Sequence, residues 1–337
     1  LTKNIRNIGV LLLKNYSLTL FIYNIFFKIR NKRRFYNEIN KRKNTSIFNY
    51  KELSQPVPFY PIEKIKDANF YGVCHCLKWF SGVNRISPSI EHGLYLGNYV
   101  PFATKLKTTK SIITFSNNRK KHLINANIDK PIFTIGPYIH YAYNIISDKR
   151  YRLLKNSLGK TLLLFPSHSI NNFNVINDIQ ELINKTIKIA SNYDTVMVCL
   201  FYKDIINDIF PRYFEEAGFK IVTAGHKYDL NFLSRLKLII QLADLTISNT
   251  IGTHTGYCIY LNKPHYVIQQ QIIKRKDNDC IINEIRNDEQ LKTFQEEEKV
   301  ILNEFIVCSE VITENQKEII DKYWGIKNIK TPEQLRN

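Results

Sequence analysis

Between residues 161 and 268 one pattern repeats five times: a short apolar run, then a helix-period or polar stretch. The runs occupy residues 161–165 (TLLLF), 195–201 (TVMVCLF), 220–223, 245–247 and 265–268. Unbroken apolarity over so few residues marks strands covered on both faces, where alternation would mark strands half in water. Helical spacing fills the gaps at residues 175–191, 205–217 (stopped by Gly218), 231–242 and 252–261. Strands separated by helices pair in parallel through crossovers, so the pattern predicts a doubly wound α/β sheet. Such sheets hold ligands beyond the carboxyl ends of their strands. The loops at 166–169, 224–227 and 248–255 are therefore expected to face one crevice.

Upstream the pattern is weaker. Pro56, Pro58 and Pro61 mark an extended entry segment, and strand-like runs follow at 70–73, 89–95, 111–115 and 131–135. Glu91 and His92 interrupt the second of these, and the polar, basic stretch 148–160 reads as the crossing between domains. A chain of 337 residues fits two domains, and 44% hydrophobic with 12% aromatic residues is enough for two cores. The expected division is an amphipathic, basic segment 1–48, a Rossmann-like domain 49–155, a second Rossmann-like domain 156–312 facing it across a cleft, and a closing helix 313–337.

Residues 8–29 are rich in Ile, Leu, Phe and Tyr, but Lys14 and polar residues break them below the ~20 apolar residues that a spanning helix needs. They lack the small-residue cleavage site of a secretory signal. Cations follow from Lys28 through Arg30, Lys32, Arg33 and Arg34 to Lys41, Arg42 and Lys43. An apolar stretch running into cations fits an interfacial helix on an anionic leaflet, and it equally fits a core helix with a solvated basic face. The net charge of +18 attracts polyanions. No stacking platform or helix-turn-helix pattern accompanies it, so nucleic acid is not an expected partner. Cys74 and Cys76 flank His75, but no second Cys/His pair follows at zinc spacing, so no metal is expected. Cysteines in apolar contexts point to a reducing, cytoplasmic setting.

The residues that carry chemistry cluster at 248–256, where a strand runs into a loop and then a helix. Five hydroxyl or amide side chains and two glycines stand within nine positions there. Exposed N–H groups at a helix start favour anions, and Ser248, Asn249, Thr250, Gly252, Thr253 and His254 are candidate phosphate ligands. A helix cap would call for one such residue. After the run at 161–165 come Ser167, His168 and Ser169, and after 220–223 comes His226, all candidates to touch a nucleotide. In the first half Glu91 and His92 are candidate general bases, a role that needs a poised proton acceptor near the attacking hydroxyl. Arg119 and His140 follow later strands and are candidates to line an acceptor cleft.

The run Asn231-Phe232-Leu233 through Ser248–His254 to Gly256-Tyr257 and Lys263-Pro264 resembles the donor half of GT-B glycosyltransferases from bacterial capsule and lipopolysaccharide clusters. Tyr323-Trp324-Gly325 and Lys330-Thr331-Pro332 resemble the closing helix of those proteins, and the likeness covers about residues 85–335. It implies two Rossmann-like domains and a metal-independent transferase. The first domain would take a glycan or lipid-linked acceptor and the second a nucleotide sugar, with no cofactor, at the cytoplasmic face of a membrane. Pro166–Ser169 is similar to the phosphate-holding loop of sialyl- and Kdo-type transferases, which usually read His-Pro where this chain has His168-Ser169. There is no strand-borne Asp-x-Asp, no Walker loop and no Gly-x-Ser-x-Gly elbow. Two alternatives stay open: another GT-B enzyme, either a sugar-nucleotide epimerase or a glycerophosphotransferase, or a catalytically silent scaffold on a membrane.

Overall fold

The computed structural model describes residues 17–168, 173–176, 178–206, 210–276 and 287–337. Its first element is a 26-residue helix, α1 (Ser17–Arg42), which contains most of the basic cluster within its own length. Helix α2 (Val73–Ser81) follows, where a strand at 70–73 was expected. Gly72 explains the difference: its left-handed backbone turns the chain tightly against the Leu230 carbonyl, which no strand would do. Cys74 and Cys76 lie buried on α2, and burial pushes the Cys76 thiol up to about 11.

The first sheet is parallel, in the order β1 (Ser89–Ile90), β2 (Ile112–Thr114), β3 (Ile132–Thr134). The expected strand 89–95 ends at Ile90, because the Glu91 side chain turns inward to an ion pair and the chain leaves the ladder. Helix α3 (Asn117–Asn125) is capped by Ser116, whose side chain accepts from the Arg119 N–H. The stretch 148–160 is mainly helix α4 (Asp148–Leu158), capped by Ser147.

The second sheet carries the five strands expected of it. They are β4 (Thr161–Phe165), β6 (Thr195–Cys199), β7 (Lys220–Val222), β8 (Leu245–Ser248) and β9 (His265–Val267), all parallel, in the order β7-β6-β4-β8-β9. Strand β5 (Phe173–Ile176) pairs antiparallel with β10 (Ile273–Lys276) outside that sheet. The helix expected over 175–191 therefore begins later, as α5 (Ile179–Ile189), where the Asp178 side chain caps the Glu181 N–H. Helices α6 (Phe232–Leu242) and α7 (Thr253–Tyr260) match their expected spans to within a residue. The stretch 205–217 is two helices, Tyr202–Ile206 and Phe210–Glu216.

Every residue of β4 and β8 is buried. Leu162, Leu164, Val198 and Ile247 pack on one side of the sheet with Leu182 and Phe214 from its covering helices. Leu163, Phe165 and Met197 point to the other side and join Ile90, Ile113, Phe115 and Tyr138 from the first half in one apolar cluster. The two parallel sheets form two Rossmann-like halves that share a core at the root of the cleft between them.

The C-terminal helices α8 (Asp288–Phe305) and α9 (Glu314–Trp324) return across both halves. The Glu297 carboxylate of α8 accepts from the Gly97 N–H at 2.6 Å and from Asn118 Nδ2 at 2.9 Å, and it pairs with His122 at 2.9 Å. Burial pushes this carboxyl up, but the His122, Gly97 and Asn118 bonds more than offset that and leave it below its ordinary value. On α9, fully buried Trp324 donates from its indole N–H to the Thr253 carbonyl at 3.1 Å. A side chain on Gly256 would run into that indole, so only glycine lets α7 and α9 approach so closely.

Candidate active site

The strand order of the second sheet reverses between β4 and β8, which makes that junction the topological switch point where open α/β sheets hold ligands. The chain closes the two loops on each other there. Asn249 Oδ1 accepts from the Ser167 N–H at 2.6 Å, and Asn249 Nδ2 donates to Gln270 Oε1 at 2.8 Å. Ser248 Oγ donates to the Thr250 carbonyl at 2.8 Å and lies 3.0 Å from His265 Nε2. Ser248 and Asn249 thus shape the loop from within, and both are buried. Thr250, Gly252, Thr253 and His254 keep partial exposure, and Gly252 caps α7 in extended backbone.

The first turn of α7 presents amides as every helix start does, although one of them, the Thr255 N–H, is already bonded to the Gly252 carbonyl at 3.0 Å. His254 stacks on Phe165 at 4.8 Å and 22°, with its Nε2 buried and unpartnered. Burial, with His168 nearby, pushes its pKa down to about 3, so its ring is neutral across the physiological range. His168 is exposed and stacks on Phe201 at 4.4 Å. Ser169 lies outside the described residues. His226 is buried, with Nδ1 accepting from the Tyr228 N–H at 3.2 Å, and burial holds it at about 3. Its contacts make it a support for the 224–229 loop.

The first half reaches this junction through Glu91-His92-Gly93-Leu94. The Leu94 N–H donates to Thr253 Oγ1 at 2.9 Å, and Gly93 lies against that same hydroxyl. Thr253 is therefore held from both sides, by Leu94 and by Trp324. Glu91 does not face the cleft: its carboxylate takes Arg119 Nη2 at 2.6 Å, Arg119 Nε at 3.0 Å and Thr114 Oγ1 at 2.7 Å. Both partners of the ion pair are at most 3% exposed. Arg119 gives its remaining donors to the carbonyls of Gly97 and Tyr99, so its guanidinium is directed inward and not to an anionic acceptor. His140 bonds the Tyr260 hydroxyl at the far end of α7 from Thr253 and lies away from the loop.

His92 is part-buried next to Gly93, and its Nδ1 is buried without a hydrogen-bond partner. Its Nδ1 lies 3.8 Å from Asp67 Oδ2, and its Nε2 lies 3.5 Å from the Tyr95 hydroxyl. Phe70 and Tyr71 wall the ring at 5.2 and 5.8 Å. Burial raises the Asp67 carboxyl, against the pull of His92, Lys66 and Lys227. Lys227 lies 5.3 Å over the Phe70 ring and 5.2 Å over Tyr228, and burial with the Lys66 and Lys203 charges pushes it down to about 8. Asp67 and these lysines were not among the sequence candidates. Lys227 ends a loop that was expected to face the crevice, whereas nothing local marks Asp67.

Two cavities lie elsewhere. One of about 190 Å³ is lined by Asn144, Asp148, Tyr151, Ser234 and Gln241, and a smaller one of about 30 Å³ lies beside Phe35, Tyr60 and His75. Neither includes the β4/β8 junction. Among the described residues no cluster of three or more His, Cys, Asp or Glu side chains is placed to hold a metal ion.

No protein-family model matches the chain, and no characterised protein matches it by sequence. Solved structures similar to it include UDP-GlcNAc 2-epimerase from Methanocaldococcus jannaschii, at 13% identity and TM-score 0.33, over 67% of this chain and 58% of that one. Another is S. aureus MnaA with UDP, at 10% and 0.38, over 74% and 64%. A third is the Neisseria meningitidis UDP-GlcNAc 2-epimerase bound to UDP-GlcNAc, at 12% and 0.34, over 77% and 69%. The chain spans less than two thirds of the length of the first two. The fold assignment rests on the strand orders above.

Proposed function

We propose that this chain is an enzyme that binds a nucleotide-activated sugar in the crevice at the β4/β8 switch point. One observation carries the reading. The start of α7, a ready anion site, is placed between the two halves by the Leu94–Thr253 and Trp324–Thr253 bonds, at the place where such folds hold ligands. The phosphates meet the α7 amides and the Thr250 and Thr253 side chains, and the exposed His168 ring flanks the nucleotide. Lys66, Lys203 and Lys227 add positive charge on the His92 side of the cleft.

For glycosyl transfer, His92 is the general base, with the Asp67 carboxylate 3.8 Å from its Nδ1. It takes the proton from the acceptor hydroxyl as that oxygen bonds the anomeric carbon, and the nucleotide leaves with the electron pair of the broken bond. Glu91 becomes a positioning residue that fixes the start of this loop through Arg119. No step calls on a metal ion. A second reading is epimerisation of the sugar nucleotide itself. The inward direction of Arg119 and the remote place of His140 favour it, since both were the groups expected to hold a second substrate.

A thermal-shift screen with CMP, UDP, GDP and CDP tests the class, and the expected result is stabilisation by one nucleotide. No shift with any of them would sink the reading. Incubation of the matching sugar nucleotide with and without acceptor then separates the reactions. Acceptor-dependent nucleotide release marks transfer, and an altered sugar still joined to its nucleotide marks epimerisation. His92→Asn is expected to lower turnover by about 10²–10⁴-fold and to leave the nucleotide shift intact.

A further inference from the structure

Helix α1 carries apolar side chains on two opposite faces. The inner face is bound to the protein: Leu20, Asn31 and Phe35 are buried, Phe35 stacks on Tyr60 at 5.1 Å, and Phe27 meets Phe59 at 5.5 Å. Asn31 Nδ2 donates to the Phe59 carbonyl at 2.7 Å, and Asn24 Nδ2 to that of Lys64 at 3.0 Å. The outer face exposes Leu18 at 68%, Phe21 at 57%, Ile22 at 58%, Ile25 at 39%, Phe26 at 52% and Ile29 at 79%. Positions 18, 21, 22, 25 and 29 form one helical row, and a contiguous row of this kind marks an interaction surface.

The same row continues into Lys32, Arg33 and Tyr36, with Lys28 and Arg30 at its sides, all of them exposed. Arg30 lies 5.7 Å over the Phe26 ring. The single acidic residue of α1, Glu38, bonds Arg42 at the far end and neutralises none of these cations. An apolar row next to unneutralised cations fits a surface with hydrocarbon beneath and phosphates above, which an anionic bilayer supplies in adjacent layers. Among the described residues no helix is long and apolar enough to cross a membrane.

We propose that the outer face of α1 lies in the interface of an anionic lipid bilayer, with the helix parallel to the surface. Rings run inward from the opposite, protein-bound face of α1: Phe27 meets Phe59 at 5.5 Å, Phe59 meets Tyr228 at 5.2 Å, Tyr228 meets Phe70 at 5.6 Å, and Phe70 meets His92 at 5.2 Å. Docking therefore sets α1 between the bilayer and this chain of rings. If the nucleotide-sugar reading holds, on which this last step rests, the enzyme works beside a membrane surface.

Flotation of the full chain with vesicles of phosphatidylcholine alone, and with phosphatidylglycerol added, tests the docking. Binding to the anionic vesicles is expected to exceed binding to neutral ones by more than about tenfold and to weaken as salt rises. The triple variant Phe21→Ser, Ile25→Ser, Ile29→Ser is expected to lose more than about tenfold of that binding, with its unfolding midpoint unchanged. Binding unaffected by the variant overturns the proposal, as does absence of binding to either vesicle. A lower unfolding midpoint or a changed oligomeric state in the variant also overturns it, because the row would then be covered by the chain itself or by a second copy. Vesicle binding without any nucleotide shift would sink the enzyme reading and leave the docking face standing.

Discussion

The two halves of the molecule both carry a parallel sheet, but the sheets differ in strand number, length and order. The second sheet has five parallel strands, and β4 inside it is buried at all five positions. The first sheet has three strands of two or three residues, too short to supply much apolar area of their own. Beside its share of the common apolar core it carries polar and charged links: Glu91 with Arg119 and Thr114, Glu297 with Gly97, Asn118 and His122, and Leu94 with Thr253. A Rossmann-like half can thus be kept by cross-links where strand length falls short, and the cross-linked half is the one that depends on its neighbours.

The largest expected effect breaks the first half. Glu91→Ala leaves the Arg119 guanidinium buried without its carboxylate and is expected to cost about 3–5 kcal/mol in denaturant unfolding. Adding Arg119→Leu to it should recover part of that loss, because it removes the unpaired buried charge even though the Ala–Leu pair fills less space. A double variant no more stable than the single one would contradict the account. Next, Leu163→Ala at the centre of β4 is expected to cost about 2–5 kcal/mol, the range for a buried leucine that leaves a cavity. Here no second substitution restores the loss through charge, which sharpens the contrast.

Acid should separate the halves further. Burial keeps His226 and His254 at about 3 in the folded chain, and His265 well below its ordinary value of 6.5, all three in the second half. Below pH 6.5 the unfolded chain takes up protons that the folded one refuses, so stability falls as pH drops towards 3. The slope is up to about 1.4 kcal/mol per pH unit for each imidazole. Glu297 of the strap over the first half is held below its ordinary 4.5, so its contribution is present above that value and is lost as pH falls further. Unfolding midpoints across this range should show loss in two windows, and stability flat from pH 6.5 to 5 would contradict the buried-histidine reading. The smallest effect is that of Glu297→Ala. It removes the bonds to Gly97, Asn118 and His122 at an expected cost of about 1–3 kcal/mol and should quicken hydrogen exchange in α3 while sparing β4.

The same difference decides what could be read from the chain beforehand. Unbroken apolar runs such as TLLLF and TVMVCLF carry their own signal, so all five strands of the second sheet and the position of α7 were legible. In the first half the signal was mixed. Residues 70–73 are apolar enough for a strand, yet Gly72 makes a turn there that depends on Leu230, which lies far along the chain. Glu91 and Arg119 look like cleft residues because each is charged and follows a strand, but their pairing across 28 positions is a tertiary fact that no local window contains. Asp67 escaped for the same reason, since what singles it out is its distance from His92. Ser248 was read as a ligand donor on residue type, while its depth beside His265 gives it a structural task.

Trp324 also bears on the order of events in biosynthesis. During synthesis from the amino terminus the strands of the crevice and α7 emerge well before the residue that fills the space over Gly256 and bonds the Thr253 carbonyl. Until position 324 has left the ribosome the start of α7 lacks one of its two clamps, so a nascent chain can complete the second sheet before it owns a finished crevice. Translation pauses or truncations between β9 and α9 should then yield a folded sheet in which Thr253 lacks its bond to Trp324.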